Sequence, residues 1–478
     1  MTYVSFPFYL FVLAAFLLYY SMPLKSRWVI LLGGSIFFYW QAFGSGEGMA
    51  VLLATVLFAY AAGIILQNTK KKSIFAGTIL LVLLPWFLCK NGNYILEILL
   101  RRDAVNWIVP LGISFYTLQI ISYLADIYMG RIEAQRNLAK FALYVMFFPQ
   151  IVQGPIPRYH RLSGQLYQGH TFCERTVVGG FYRILWGFFL KMMIADRAAV
   201  VVNEIFDHHD QYVGCYVLTA GILYSIELYA DFAACISISK GVANLFGIQL
   251  ADNFNHPYLA VSVKDFWRRW HMSLSEWLKD YIYIPLGGSR KGQVRTFVNL
   301  VLTFVASGIW HGSGLRFVVW GLMHASYQII GQLTRNIQRR MVRLLGLEEA
   351  AEVRIWIQRI WTFLCVMMAW IVFRAENLTT GVQMIRSMFR VQNVWIFTND
   401  ALFTLGLDWK EWLVLVVSIL ILFAVSLKQE KGVVFSDAVF RQPVLIRWSL
   451  YLVVIFSIMT YGAYGMGYDP QAFIYGGF

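Results

Sequence analysis

The chain has 478 residues, of which 59% are hydrophobic, 17% aromatic and only 14% charged. A soluble domain carries about 25% charged residues, so a water-solvated globular enzyme is excluded and lipid is the main solvent. The net charge of +14 does not make a nucleic-acid binder, because the basic residues gather in short loops between apolar runs. Lys25 with Arg27, Lys70 to Lys72, Arg290 with Lys291, and Arg335 through Arg343 are such clusters. They read as topology signals and contacts to anionic lipid.

Apolar runs recur from residue 8 to residue 458. A spanning helix needs roughly 20 mostly apolar residues, and on that rule about eleven transmembrane helices are predicted, with shorter runs as re-entrant or interfacial segments. The expected fold class is an all-α polytopic protein of the cell membrane. The first run, residues 8–20, has no basic region before it and reads as a span rather than a removable leader. Residues 1–89 hold four closely spaced runs with almost no polar side chain inside them, which is the pattern of a scaffold. With Lys25 and Lys70 to Lys72 cytoplasmic, the N-terminus falls outside. Five cysteines, Cys89, Cys173, Cys215, Cys235 and Cys365, form no C-x-x-C, so neither a disulfide framework nor a metal site is expected.

PLGISFYTLQIISYLADIYMGR, residues 110–131, is interrupted by polar side chains, and Gln119, Tyr123 and Asp126 share one helical face. Polar groups at membrane depth need partners or water. This face is therefore either interhelical glue or the lining of a cavity. FFPQIVQGPIPRYH, residues 147–160, has three prolines and a glycine and predicts a re-entrant loop or broken helix. In residues 223–250, Glu227 and Asp231 stand four apart on one face. Intramembrane carboxylates mark a functional site or a buried pair with a cation from a neighbouring helix. NFNHPY, residues 253–258, then breaks the helix.

The most informative stretch is 262–324. Ser262 is a predicted N-cap, with Asp265 completing a capping box. Trp267, His271, Leu274 and Leu278 follow as one stripe, widened by Phe266, Trp270 and Trp277, with Lys264, Arg268, Arg269 and Lys279 on or beside the other side. That is the pattern of one helix lying in the membrane interface. His271, on its apolar side, is either a satisfied structural donor or a functional group. His311 lies in GIWHGSGLR, between apolar runs 297–305 and 317–330, and Gly308, Gly312 and Gly314 allow close approach to the backbone. An intramembrane imidazole beside small residues is a functional-site hypothesis by default. Ser313 lacks the flanks of a G-x-S-x-G nucleophile elbow, and His324 reads as structural. Beyond it come a basic loop (334–354), a span, a polar segment (374–410) and two final spans, with no catalytic constellation.

With PLGISFYTLQIISYLADIYMGR, MFFPQIVQGPI, NFNHPY, DFWRRWHMSLSEWLKDYIYIPLGGSRKG and GIWHGSG in this order, the chain resembles the membrane-bound O-acyltransferase (MBOAT) family in its bacterial alginate O-acetylation branch. The resemblance implies helices around a central tunnel and divides the chain into N-terminal helices (1–105), a catalytic core (106–333) and C-terminal helices (334–478). It implies that His311 is the essential intramembrane histidine, acting as general base. His271 would be the second, orienting acceptor or thioester or stabilising the oxyanion. Trp267, Trp270, Trp310, Ser313, Gln119, Tyr123, Asp231 and Glu227 are the expected substrate or tunnel lining. Arg268, Arg269, Arg290 and Lys291 either meet the phosphates of coenzyme A or anchor in lipid. The expected reaction moves acetyl from cytoplasmic acetyl-CoA, with no bound cofactor, toward an extracellular or cell-wall polysaccharide by way of an extracytoplasmic esterase-like partner. Alternatives are D-alanyl transfer from a carrier-protein thioester toward teichoic acid and, in another class, a polytopic polysaccharide-related transporter. Two stretches depart from the family's pattern: AACISIS after Phe232, and the closing FIYGGF.

Overall fold

Backbone N–H and C=O groups find no water at membrane depth, so segments that cross must close their own hydrogen bonds as helices. The computed structural model describes residues 1–43, 46–105 and 107–464, and all regular structure among them is helical; the closing FIYGGF lies outside the described residues. Among the described residues seven helices are long and apolar enough to cross a membrane: Gly46–Thr69, Lys72–Ile98, Cys215–Leu245, Gln293–His311, Ala351–Arg374, Trp409–Glu430 and Val444–Tyr461. Other apolar runs form shorter or more polar helices, among them Phe6–Ser21, Arg27–Phe43, Ile113–Tyr128 and Leu315–Leu333. Of residues 147–160, expected as broken or re-entrant, 147–158 are non-helical and almost wholly buried, and a helix begins at Tyr159.

The described chain divides into two units, one holding residues 1–188 and 234–252, the other residues 189–233 and 253–464. In the first, every residue of Ile113–Tyr128 up to Ile127 is buried. That helix starts at Gly112, whose φ is +73° and whose added Cβ would meet the Ile151 carbonyl oxygen at 2.1 Å. Only glycine fits there, and the close approach seats the helix against the irregular stretch.

In the second unit, Gln293–His311 and Leu315–Leu333 form an antiparallel hairpin. A Cβ on Gly308 would lie 2.2 Å from the Phe317 carbonyl oxygen, and one on Gly321 would lie 2.3 Å from that of Phe304. The two helices therefore touch backbone to backbone through glycine, as small residues permit in membrane bundles. His311 is the last residue of its helix, at the closed end of this hairpin.

The stretch expected as one interfacial helix is two helices, Val263–Arg269 and Met272–Leu278. Between them Trp270 is extended (φ −104°, ψ 130°) and His271 is left-handed (φ 43°, ψ 54°). Ser262 caps the first helix as expected, its Oγ accepting from Asp265 N at 3.1 Å. The reciprocal arm differs from a capping box: Asp265 accepts from Val261 N rather than from Ser262 N.

The hairpin contact predicts a sharp contrast among glycines. Gly308→Ala and Gly321→Ala should each cost about 1–3 kcal/mol through overpacking, read as a lower Tm in detergent. Gly331→Ala, which meets nothing within 4 Å, should leave Tm unchanged.

Candidate functional site

A left-handed histidine is uncommon outside turns, and the segment that holds this one is NFNHPY. Met272 N donates to Asn253 O at 2.9 Å and Asn255 N to Arg269 O at 2.9 Å, so residues 253–255 pair with the two sides of the bend. The Asn253 side chain adds three further bonds. Its Oδ1 accepts from Ser273 N at 3.0 Å and Ser273 Oγ at 2.8 Å, and lies 3.2 Å from His271 Nδ1. A backbone N–H can only donate, which identifies the amide oxygen and makes His271 Nδ1 the donor. The Nε2 of a neutral His271 then carries the lone pair.

His271 is fully buried, edge-on to Phe232 with ring centroids 4.8 Å apart and 6.1 Å from Trp310. The same Trp310 lies 4.8 Å from His311. His311, also buried, meets Trp320 at 5.0 Å and Phe373 at 5.5 Å. Trp320 in turn meets His324 at 5.0 Å. Trp267 Nε1 donates to His324 Nδ1 at 3.2 Å. Three imidazoles are thus joined by indoles within one unit. Trp270 packs close by on Phe254, Trp370 and Phe266, at 5.1–5.4 Å. Ser313 is half-buried in the turn that follows His311.

The sequence marks Asn253 only as part of a helix break and His324 as structural, and it shows the partners of neither. Neither carries a local signal: a lone asparagine in a loop does not show a partner twenty residues on, and His324 looks like any helix histidine until Trp267 bonds to it.

The other expected site residues make the following contacts. Gln119 and Tyr123 belong to the first unit. Gln119 Nε2 donates to Tyr144 O at 2.6 Å, and Tyr123 Oη accepts from Gln135 N at 2.8 Å. Asp231 accepts from Lys191 at 2.7 Å, and Lys191 also meets Asp196 at 2.9 Å, all three being buried. Glu227, one turn before Asp231, is buried with no hydrogen-bond partner for Oε2 among the described residues. Arg269 is bound to Asp265 at 3.0 Å and Glu430 at 2.7 Å, whereas Arg268, Arg290 and Lys291 are exposed. Among the described residues no group of three or more His, Cys, Asp and Glu gathers to hold a metal ion.

His271 lies outside the seven spanning helices, and burial pushes its imidazole down to about 3. The unfolded chain binds a proton at that site near pH 6.5, so the folded state is favoured above that pH and loses ground as pH falls toward 3. Wild type should therefore show a steeper fall in Tm between pH 7 and 5 than His271→Gln, by about one proton's worth of slope. Parallel Tm profiles would mean that His271 is not held neutral by the fold.

The sequence model of the membrane-bound O-acyltransferase family matches residues 131–375. A probable alginate O-acetylase of Azotobacter vinelandii is 34% identical over 387 residues, covering 78% of this chain and 74% of its own length. A peptidoglycan O-acetyltransferase of Helicobacter pylori is 30% identical, with 79% and 76% covered. A teichoic acid D-alanyltransferase of Bacillus subtilis is 30% identical, with 58% of this chain and 71% of its own length covered.

Proposed function

The chain belongs to the membrane-bound O-acyltransferase family, and we propose that it moves acetyl from cytoplasmic acetyl-CoA toward a polysaccharide hydroxyl outside the membrane. It is a multi-pass membrane protein and an O-acyltransferase; the donor, the acceptor and the route are the proposed part. The two O-acetylating relatives cover 78–79% of the chain, against 58% for the D-alanylating one, which favours acetyl over D-alanyl. An esterase-like partner outside the membrane receives the acyl group and delivers it to the polymer.

The observation that carries the proposal is the burial of two imidazoles against one indole, with the tautomer of one of them set by Asn253. In the proposed reaction a hydroxyl oxygen attacks the thioester carbonyl, the C–O bond forms and the C–S bond breaks. His311 takes the hydroxyl proton, as an imidazole can near neutral pH, and returns it to the coenzyme A thiolate. Two roles were open for His271, and the Asn253 bond favours one of them. An Nε2 with a lone pair accepts a hydrogen bond and cannot donate one to an oxyanion. His271 therefore aligns the acceptor by taking a bond from a neighbouring hydroxyl, leaving the attacking hydroxyl to His311. The indole of Trp310, packed against both rings, and that of Trp320, packed against His311, keep water away from them. Exposed Arg268, Arg290 and Lys291 are available to the phosphates of coenzyme A; Arg269 is held by its own ion pairs.

The test is transfer of radiolabelled acetyl from acetyl-CoA in membranes supplied with the partner, at matched expression. His311→Ala should lower labelling by roughly 10²–10⁴-fold, the usual contribution of a general base. Equal labelling would remove His311 from the mechanism. No label even in wild type would shift the donor to a carrier-protein thioester. In the same assay Asn253→Leu should reduce labelling by about tenfold or more, because the imidazole that aligns the acceptor loses the bond that sets its direction and tautomer. Asn253→Asp, which keeps the acceptor oxygen, should retain most of it.

A further inference from the structure

The sequence marks the loop after Leu333 as one of several basic clusters that signal topology and meet anionic lipid, with no structure of its own. In the structure it contains a folded helix, Arg335–Leu344, with the sequence RNIQRRMVRL. At 100° per residue, Arg335, Arg339, Arg343 and Arg340 fill one arc of this helix. Ile337, Met341 and Leu344, with Leu345 just beyond its end, fill the arc opposite. There is no acidic residue in it. None of its residues is buried. Ile337, Met341, Leu344 and Leu345 are 64%, 49%, 71% and 63% exposed, so an apolar stripe stands uncovered beside four guanidinium groups. A helix this short is marginal in water on its own, and among the described residues nothing buries any of its side chains.

Its neighbours in the chain indicate what covers it. Leu315–Leu333 ends one residue before it, and the spanning helix Ala351–Arg374 begins shortly after it. One flank packs as a hairpin on the spanning helix Gln293–His311 and the other is itself a spanning helix, so the segment between them is held near the lipid surface. We propose that Arg335–Leu344 lies flat on the cytoplasmic leaflet, its apolar stripe in the headgroup–acyl boundary and its arginines on anionic phospholipid headgroups. A short amphipathic helix with basic residues flanking its apolar face binds such a surface by burying apolar area and by charge together. The attraction of arginine to anionic lipid supplies the dependence on lipid composition, and the positive-inside rule supplies the side. Because the following span begins within a few residues, the helix also fixes the depth at which that span enters.

Hydrogen exchange of the full chain in nanodiscs tests this without touching the site. Amides of 335–344 should exchange about tenfold or more slowly in discs rich in phosphatidylglycerol than in pure phosphatidylcholine. High salt should remove most of that difference. Replacing Arg335, Arg339, Arg340 and Arg343 by glutamine should bring the two lipids together. Ile337→Ser with Leu344→Ser should speed exchange in both. Equal protection of the wild type in the two lipids would overturn the charge-dependent anchor. Fast exchange in both would overturn the lipid surface as occupant and leave an acidic protein partner to be sought. The lipid comparison on wild type decides the question even where a variant fails to fold.

Discussion

A non-glycine residue in the left-handed region costs roughly 1–2 kcal/mol, and it persists only where its surroundings hold it there. At His271 the holding group is Asn253. Two backbone bonds tie residues 253–255 to either side of the bend, and the Asn253 carboxamide takes two more from Ser273 and one from His271 itself. Each net bond is worth about 1 kcal/mol, enough together to offset the strained residue. The consequence is geometric. With the chain turned at Trp270 and His271, Trp267 on the first helix reaches His324, while the His271 ring faces Phe232 and Trp310. One loop asparagine thereby sets the direction of an imidazole, its tautomer and the course of the helices on both sides.

The partner surface is built by a second constraint, backbone contact between two helices. Gly308 against Phe317 and Gly321 against Phe304 hold the hairpin at a spacing that no larger residue allows. The helices are then close enough for Trp320, on one, to meet His311, on the other, ring against ring at 5.0 Å. His324 stands one helical turn beyond Trp320 and meets it from the same helix at 5.0 Å. The glycines of GIWHG thus do what their spacing suggested, and Gly312 adds to it, since a Cβ there would strike the Phe317 ring at 2.3 Å.

What was legible in the sequence was whatever follows from a local rule. Hydropathy marks the spans. Three prolines and a glycine mark the buried irregular stretch 147–158. A histidine between two apolar runs marks His311, and the long motifs mark the family. The bend was not legible. Trp267, His271, Leu274 and Leu278 fit a 3.6-residue period, and periodicity continues smoothly through a single left-handed residue because apolar side chains are needed on both sides of it. What breaks the helix is a bond to Asn253, distant in sequence, so no window centred on the stripe contains the cause. The partner of His324 is illegible for the same reason: it is a tryptophan 57 residues earlier.

Glu227 and Asp231 show how burial separates two residues that sequence treats as a pair. They share a helical face, and either reading, functional site or ion pair, would have covered both. The π-helical segment Phe189–Ala195 carries Lys191, which bonds Asp231 and also meets Asp196. Breaking such a buried pair by removing one partner costs about 3–5 kcal/mol, because the other charge is left without compensation. Asp231 is therefore a fixed part of how that irregular helix sits on Cys215–Leu245, and its charge is committed there. Glu227 has no comparable cation at bonding distance among the described residues, and its Oε2 is buried without a hydrogen-bond partner. A carboxylate in that setting is costly unless it holds its proton or meets a polar ligand. The two acids thus differ in whether a lysine holds them, and spacing along the helix could not have told them apart.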